Sequence, residues 1–393
     1  MGTQQSISTL ALLLLLASCV RAQSGLFNIR KYGATHNGDI TNALKKAWEG
    51  ACASTTLSKV VVPKGTYKLR QIEFNGPCKA PIEVRVHGII QSPKNPYHLN
   101  GEDQWIRFGY INFLTLSGKG IFDGQGEMAW KQNDCRKNMN CKQQKLVMNF
   151  GFGFVNNSVI RDITSKDSKY FHVNVFGCKN LTFTNFNINA PADSPNTDGI
   201  HIGKSTQVKI INSKIGTGDD CVSLGDGSRE VTILNVTCGP GHGISVGSLG
   251  KYSNEEPVED FIVKNCTLKN TDNGIRIKTW PGTPITSLAS DLHFEDIIMV
   301  NVSNPVIIDQ EYCPWNQCSK QSPSQIKISK VTFKNIRGTS ATQEGVILVC
   351  SSSVPCESVE LSDIDLKFNG TVATTKCENV KPNIGRNAAS CVA

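Results

Sequence analysis

The sequence predicts an all-β fold, a right-handed parallel β-helix with a short N-terminal capping helix, on three observations. First, the segments LTFTNFNI (181–188), VKIINSKI (208–215), VTILNVTC (231–238), FIVKNCTL (261–268), LHFEDIIM (292–299), VTFKNIRG (331–338) and VELSDIDL (359–366) share one pattern. Each alternates apolar and polar residues, as a half-buried strand does, and sets Asn or Asp fifth. Second, those fifth positions (Asn185, Asn212, Asn235, Asn265, Asp296, Asn335, Asp363) recur at separations of 27, 23, 30, 31, 39 and 28 residues. A short base period thus carries loop insertions. Third, no helical segment interrupts the repeat, so each unit reads as one coil of a solenoid that buries its apolar column against its neighbours. A β-sandwich supplies short strands but neither the period nor the fixed Asn, whose amide suits a hydrogen-bonded ladder along the stack.

Taken in order, residues 1–22 read as a secretory signal peptide. Leu10–Ser18 is a short apolar run, and Val20-Arg21-Ala22 offers a small-residue cleavage site. The opening MGTQQS lacks a basic residue and also fits a myristoylation pattern through Gly2 and Ser6, a reading that the adjoining apolar run disfavours. That run is too short to span a bilayer, and no membrane anchorage is expected. Residues 23–393 follow as a single domain, with no linker.

The composition agrees with export. Fourteen of the 15 cysteines remain once Cys19 leaves, which points to an oxidising compartment. Cys135/Cys141, Cys313/Cys318 and Cys350/Cys356 are close enough in sequence to staple loops. A zinc site is disfavoured, because no CxxC pair has histidines at ligand spacing. Six N-x-[ST] sequons, at Asn156, Asn180, Asn235, Asn265, Asn301 and Asn369, fit a glycoprotein that is secreted to the extracellular space or cell wall. The formal charge of +8 falls to +7 with Arg21 removed, which favours a polyanionic partner. Without a dense Lys/Arg run interleaved with aromatics, nucleic acid is not that partner.

After Thr41, read as an N-cap, NALKKAWEGAC sets Leu44, Ala47, Trp48 and Ala51 on one helical face, which suits a lid on the open end of the solenoid. KVVVPKGTYKL (59–69) then reads as strand, turn, strand.

Within the coils a second strand repeats as GIHIG (199–203), CVSLG (221–225), GISVG (243–247) and GIRIK (274–278). Alignment turns Ile200/Ile202, Val222/Leu224, Ile244/Val246 and Ile275/Ile277 inward. Outward run His201/Ser223/Ser245/Arg276 and Gly203/Gly225/Gly247/Lys278, an open groove with a cation along it. Asp198, Asp220 and His242 head three successive coils at equal separations of 22 residues. Strict alternation would bury them, so the chain is expected to bend at Gly199 and Gly243 and swing them out. His201 is read as an ordinary strand residue, and Asp123 and Asp272 as turn residues.

Three crowded carboxylates, Asp198, Asp219 and Asp220, cannot all stay charged cheaply, so one is expected to hold a proton tightly. A protonated acid beside an ionised one is the equipment for glycoside hydrolysis. Arg276 and Lys278, two apart on one strand face, suit a carboxylate on the sugar. Acids for chemistry and cations for binding together imply an acidic polysaccharide.

SPNTDG (194–199), GTGDDC (216–221), GPGHGIS (239–245) and RIK (276–278) resemble the four signature segments of the polygalacturonases, glycoside hydrolase family 28, from about Phe27 to Cys391. The resemblance implies a right-handed parallel β-helix that cleaves α-1,4-linked galacturonan of pectin with inversion, using no metal; no cofactor is expected, and the protein is expected to be a monomer. It implies Asp219 as general acid, Asp198 and Asp220 as holders of the attacking water, and His242 as tuner of the acid. Asn196, Arg276, Lys278 and Tyr312 (in DQEYC, 309–313) would contact substrate. WEGACAST, VPKGTYKL and IKTWPG resemble the pollen-type plant exopolygalacturonases in particular, which implies exo action and release of galacturonate from chain ends. HNGDITNAL (36–44) departs from the family, which usually carries a longer acidic segment there. For exo action the insertion Asn133–Gln144 could wall one end of the groove. The alternatives are an endo-acting polygalacturonase, a rhamnogalacturonan hydrolase, a Ca²⁺-dependent lyase with Arg276 as base, and a non-catalytic wall-binding protein.

Overall fold

Apolar alternation becomes stacking coil by coil. The computed structural model describes residues 25–99, 103–133, 146–314, 318 and 321–392. The signal-like segment, Gly2, Cys135, Cys141 and nearly all of the insertion after Asn133 lie outside the described residues. One inward column shows the principle: Phe183, Ile210, Ile233, Val263, Phe294, Phe333 and Leu361 pair in parallel register through successive coils. All seven are buried, and the Phe294 and Phe333 rings stack at 5.1 Å. The architecture is the right-handed parallel β-helix that the repeat predicts, right-handed as parallel crossovers are.

Each coil has three faces. A first ladder includes Lys179–Thr184, Thr206–Ile211 and Arg229–Leu234, and a second Asn187–Asn189, Lys214–Gly216 and Thr237–Cys238. From Val258 the two fuse into long bent strands such as Val258–Lys269 and Ser287–Val302. The fixed Asn/Asp marks the corner between these faces. At all seven positions φ lies between 50° and 56°, a left-handed conformation that Asn and Asp tolerate better than other side-chain-bearing residues. The amide ladder forms in separate rungs, Asn185 Nδ2 to Asp162, Asn235 to Asn212 and Asn335 to Asp296, at 2.7–3.1 Å.

The third face runs in chain order from Ile72–Asn75 to Cys391–Val392. Its middle strands are Ile200–Gly203, Val222–Leu224, Ile244–Leu249 and Asn273–Thr279. Register follows the expected alignment, with Ile200, Val222, Ile244 and Ile275 in one row and His201, Ser223, Ser245 and Arg276 in the next.

The helix Thr41–Cys52 buries Ala43, Leu44, Ala47, Trp48 and Ala51. Trp48 closes the open end by meeting Phe74 at 4.9 Å, the first ring of the stack Phe74–Phe108–Phe152. Its cap differs from expectation. Thr41 is already helical, the N-cap is Ile40 without a side-chain bond, and Asp39 Oδ1 accepts the Thr41 N–H at 2.9 Å. Cys313–Cys318 and Cys350–Cys356 are bridged, as are Cys52–Cys78, Cys221–Cys238 and Cys377–Cys391. Cys178 and Cys266 are free and buried.

Candidate active site

The turns between the second and third faces carry the acids. Asp198, Asp219, Asp220 and His242 precede the third-face strands rather than lying in them, so alternation does not bury them with the isoleucines. The bend is glycine-dependent. Gly243 has φ +88°, and a Cβ there would fall 2.1 Å from Asn273 O, while one on Gly199 would fall 2.4 Å from Cys221 O. Behind the turn, the Cys221–Cys238 bridge ties the residue after Asp220 to the second-face strand of the next coil, Thr237–Cys238.

Asp220 is the most enclosed acid, 1% exposed. Its Oδ1 accepts from Ser245 Oγ at 2.8 Å and Arg276 Nη2 at 2.8 Å, and its Oδ2 from Lys278 Nζ at 2.9 Å. Burial alone would raise its pKa, but Lys278 and Arg276 overcome that and hold the carboxyl down at about 2. Asp198 is the opposite case. Burial, then the charges of Asp219 and Asp220, raise it well above the usual carboxylate range, opposed by Lys278 and the Ser223 hydroxyl. The tightly held proton expected among three crowded acids therefore belongs to Asp198.

Asp219 Oδ1 meets His242 Nδ1 at 3.0 Å and accepts the Asp220 N–H at 2.8 Å, while Oδ2 faces Asn196 Nδ2 at 3.4 Å. Burial lowers the proton affinity of His242, but the bond to Asp219 and the charges of Asp219 and Asp220 outweigh it, for a net rise. Tyr312 also reaches the site, with its ring 5.3 Å from Lys278 Nζ and 5.9 Å from Arg276 Cζ. All eight residues singled out by sequence thus gather at one groove.

Three details differ from the sequence reading. Arg276 and Lys278 are not free for a sugar carboxylate alone, since both already pair with Asp220, a buried charge that needs counter-charge. Gly247 has no ladder partner in Lys278, because the register between their strands slips between Val246 and Leu249. Asp272, read as a bland turn residue, lies 3.4 Å from His242 Nε2 through its Oδ2. Coil arithmetic could have found it, because Gly241 bridges Thr271 on the next coil. Tyr170 was missed outright. Burial, with Asp198 and Asp219 near, pushes its phenol up to about 12.

Asp219, Asp220 and His242 offer ligand atoms within 4.8 Å of one another, the arrangement of a metal site. The donor set fits a cation poorly, because Arg276 and Lys278 already occupy the Asp220 oxygens.

The profile of Glycosyl hydrolases family 28 matches residues 52–391. The chain belongs to this family. It is a glycoside hydrolase. A polygalacturonase of Medicago sativa is 61% identical over 382 residues, covering 97% of this chain and 91% of that one. An exopolygalacturonase of Oenothera organensis is 54% identical, covering 88% and 95%. Among solved structures, the endo-xylogalacturonan hydrolase from Aspergillus tubingensis superposes with TM-score 0.76 at 24% identity, covering 91% of this chain and 98% of that one, a likeness of fold.

Proposed function

We propose that this protein hydrolyses the α-1,4-galacturonosyl bonds of polygalacturonate in pectin, with inversion, working from chain ends and releasing galacturonate. The observation that carries the reading is the pairing within one cluster: Asp219 Oδ1 meets His242 Nδ1 at 3.0 Å, while Lys278 and Arg276 hold the adjoining Asp220 ionised. Asp219 and His242 share a proton across their 3.0 Å contact, and Asp219 delivers it to the leaving oxygen. Asp198 and Asp220 hold the attacking water, and Asn196, Arg276, Lys278 and Tyr312 bind the sugar. Arg276 and Lys278 bring two positive charges against the one carboxylate of Asp220, which leaves positive potential for a galacturonate carboxylate.

Pectin as substrate is supported by the polygalacturonase relatives, and exo action by the exopolygalacturonases of Oenothera organensis and Platanus acerifolia at 54% and 49% identity. Secretion to the cell wall, as a monomer after loss of residues 1–22, is part of the proposal. It is supported by disulfides and by sequons that are exposed at Asn180, Asn235, Asn265, Asn301 and Asn369. No described helix is long and apolar enough to cross a membrane.

A time course of polygalacturonic acid digestion, following reducing ends, viscosity and product size with an Asp219→Asn control, tests the reading. Monogalacturonate accumulating while viscosity barely falls is the expected result. A rapid viscosity drop with mixed oligomers would keep the hydrolase and overturn exo action. An absence of reducing ends, with the control indistinguishable, would leave a binding protein.

A further inference from the structure

Between Asp198 and the groove floor runs a hydrogen-bond chain that the roles above do not use. Ser223 Oγ lies 3.0 Å from Asp198 Oδ2 and 2.9 Å from His201 Nδ1. Register fixes the pair, because His201 stands opposite Ser223 on the next coil. The far side of the half-buried imidazole lies beside two residues without side chains: a Cβ on Gly225 would lie 3.2 Å from His201 Nε2, and one on Gly203 4.0 Å from it. Phe171 packs on the ring at 5.6 Å, and Tyr170 stacks on Phe171 at 4.4 Å, which limits the orientations the imidazole can take.

Resting on the proposed function, we infer that Ser223 is a positioning residue for Asp198 and that His201 Nε2 hydrogen-bonds a sugar hydroxyl at the groove floor. The chemistry follows from proton counting. A serine hydroxyl has one proton to give. With Asp198 ionised, that proton goes to the carboxylate, the serine oxygen accepts from Nδ1–H, and Nε2 offers a lone pair to the groove. With Asp198 protonated the chain reverses: the carboxyl donates to Ser223, Ser223 donates to Nδ1, and Nε2 carries the hydrogen. The charge of Asp198 thus decides what the groove floor offers the sugar. A hydroxyl can meet either form. An ether or ester oxygen meets only the donor form, so the state with Asp198 ionised selects for a free hydroxyl.

The surroundings keep the ring neutral, as the relay requires. Burial, then Lys278, push the His201 imidazole down to about 4, against the opposing charges of Asp220 and Asp226. Asp198 is itself faced by Asp219, Asp220, Lys278 and Tyr170.

The test is steady-state kinetics on trigalacturonate across pH, with calorimetric binding of trigalacturonate in an Asp219→Asn background. Ser223→Ala is expected to lower kcat about tenfold, with KM little changed, since one hydrogen bond to a charged group is lost. It should also move the ascending limb of the pH profile to higher pH, because Asp198 loses a donor that lowers its pKa. Ser223→Thr keeps the hydroxyl and should restore both. His201→Phe is expected to raise KM and the calorimetric Kd about tenfold while kcat stays within a few-fold.

A Kd for His201→Phe within about twofold of its parent overturns the substrate contact, that change being far below one hydrogen bond. An unmoved pH limb in Ser223→Ala overturns the positioning role. If Ser223→Ala fails to fold, an unchanged limb in Ser223→Thr with normal kcat supports the hydroxyl's role, and a Thr variant as slow as Asp219→Asn refutes it. Should the parent not hydrolyse trigalacturonate, the proposed function fails, and the binding comparison still decides the contact.

Discussion

Lys278 Nζ stands 2.9 Å from Asp220 Oδ2, although 58 residues separate the two in the chain. The pairing exists because a single third-face strand, Ile244–Leu249, lies between the turn that carries Asp220 and the strand that carries Lys278. A buried pair of this kind is a poor source of net stability, since desolvation offsets most of the attraction. Breaking it is another matter. Lys278→Met leaves Asp220 with Arg276 and Ser245, and is expected to destabilise the protein by about 3–5 kcal/mol. Turnover of polygalacturonate should fall at least about 100-fold through loss of electrostatic stabilisation. Chemical denaturation and kcat/KM check both, and a variant as stable as the parent would contradict the buried-pair reading.

The acids have opposite linkage signs. Asp220 is held at about 2, below its ordinary 3.8, so its stabilisation is present above pH 3.8 and is lost as pH falls through about 2. Asp198 is raised, so its contribution is present below 3.8 and is lost as pH climbs through its folded-state value. Asp198→Asn should therefore flatten the decline of melting temperature with rising pH, and should melt higher than the parent at neutral pH. Melting scans of both proteins across pH give the answer.

His242 controls the alkaline side of the rate profile. Its raised proton affinity, from the Asp219 bond, keeps a proton on the pair above the ordinary histidine value of 6.5. The parent should show a mildly acidic optimum and lose activity as that proton leaves. His242→Gln should shift the alkaline limb of kcat/KM to lower pH, because the imidazole whose proton affinity is raised at the site is gone. A flat rate up to about pH 9 in the parent would contradict this, since the general acid must stay protonated.

The Cys221–Cys238 bridge closes a loop with a sequence separation of 17 that holds none of the clustered acids but begins beside Asp220. Cys221→Ala/Cys238→Ala is expected to cost about 3 kcal/mol. Activity should fall even well below the new melting temperature, because the turn that aims Asp220 is released. Full kcat in the folded double variant would show that the coil register alone positions the acid.

Most of the site was legible because a solenoid converts sequence period into spatial neighbourhood. Equal separations of 22 residues put Asp198, Asp220 and His242 on one corner, and the apolar columns gave the register. The period says which residues share a face. It does not say which charge a long side chain will neutralise, so the pairing of Arg276 and Lys278 with Asp220 was not foreseen. Nor does it see the register slip after Val246, which breaks the ladder between Gly247 and Lys278. Asp272 and Tyr170 escaped for a different reason. Both lie in turns, where side-chain direction follows local backbone geometry rather than alternation. The carboxylate cap on Thr41 escaped likewise, being set by a side chain two residues upstream.

The unequal spacing of the corner residues, from 23 to 39, has an evolutionary consequence. Each coil meets its neighbours through fixed strands, so extra residues accumulate at corners without disturbing the inward columns. The catalytic turns and the walls of the groove can therefore diverge independently. Whether such an enzyme bites a polymer at its end or in its middle becomes a trait that a single corner insertion can change, while the acids stay where the stack put them.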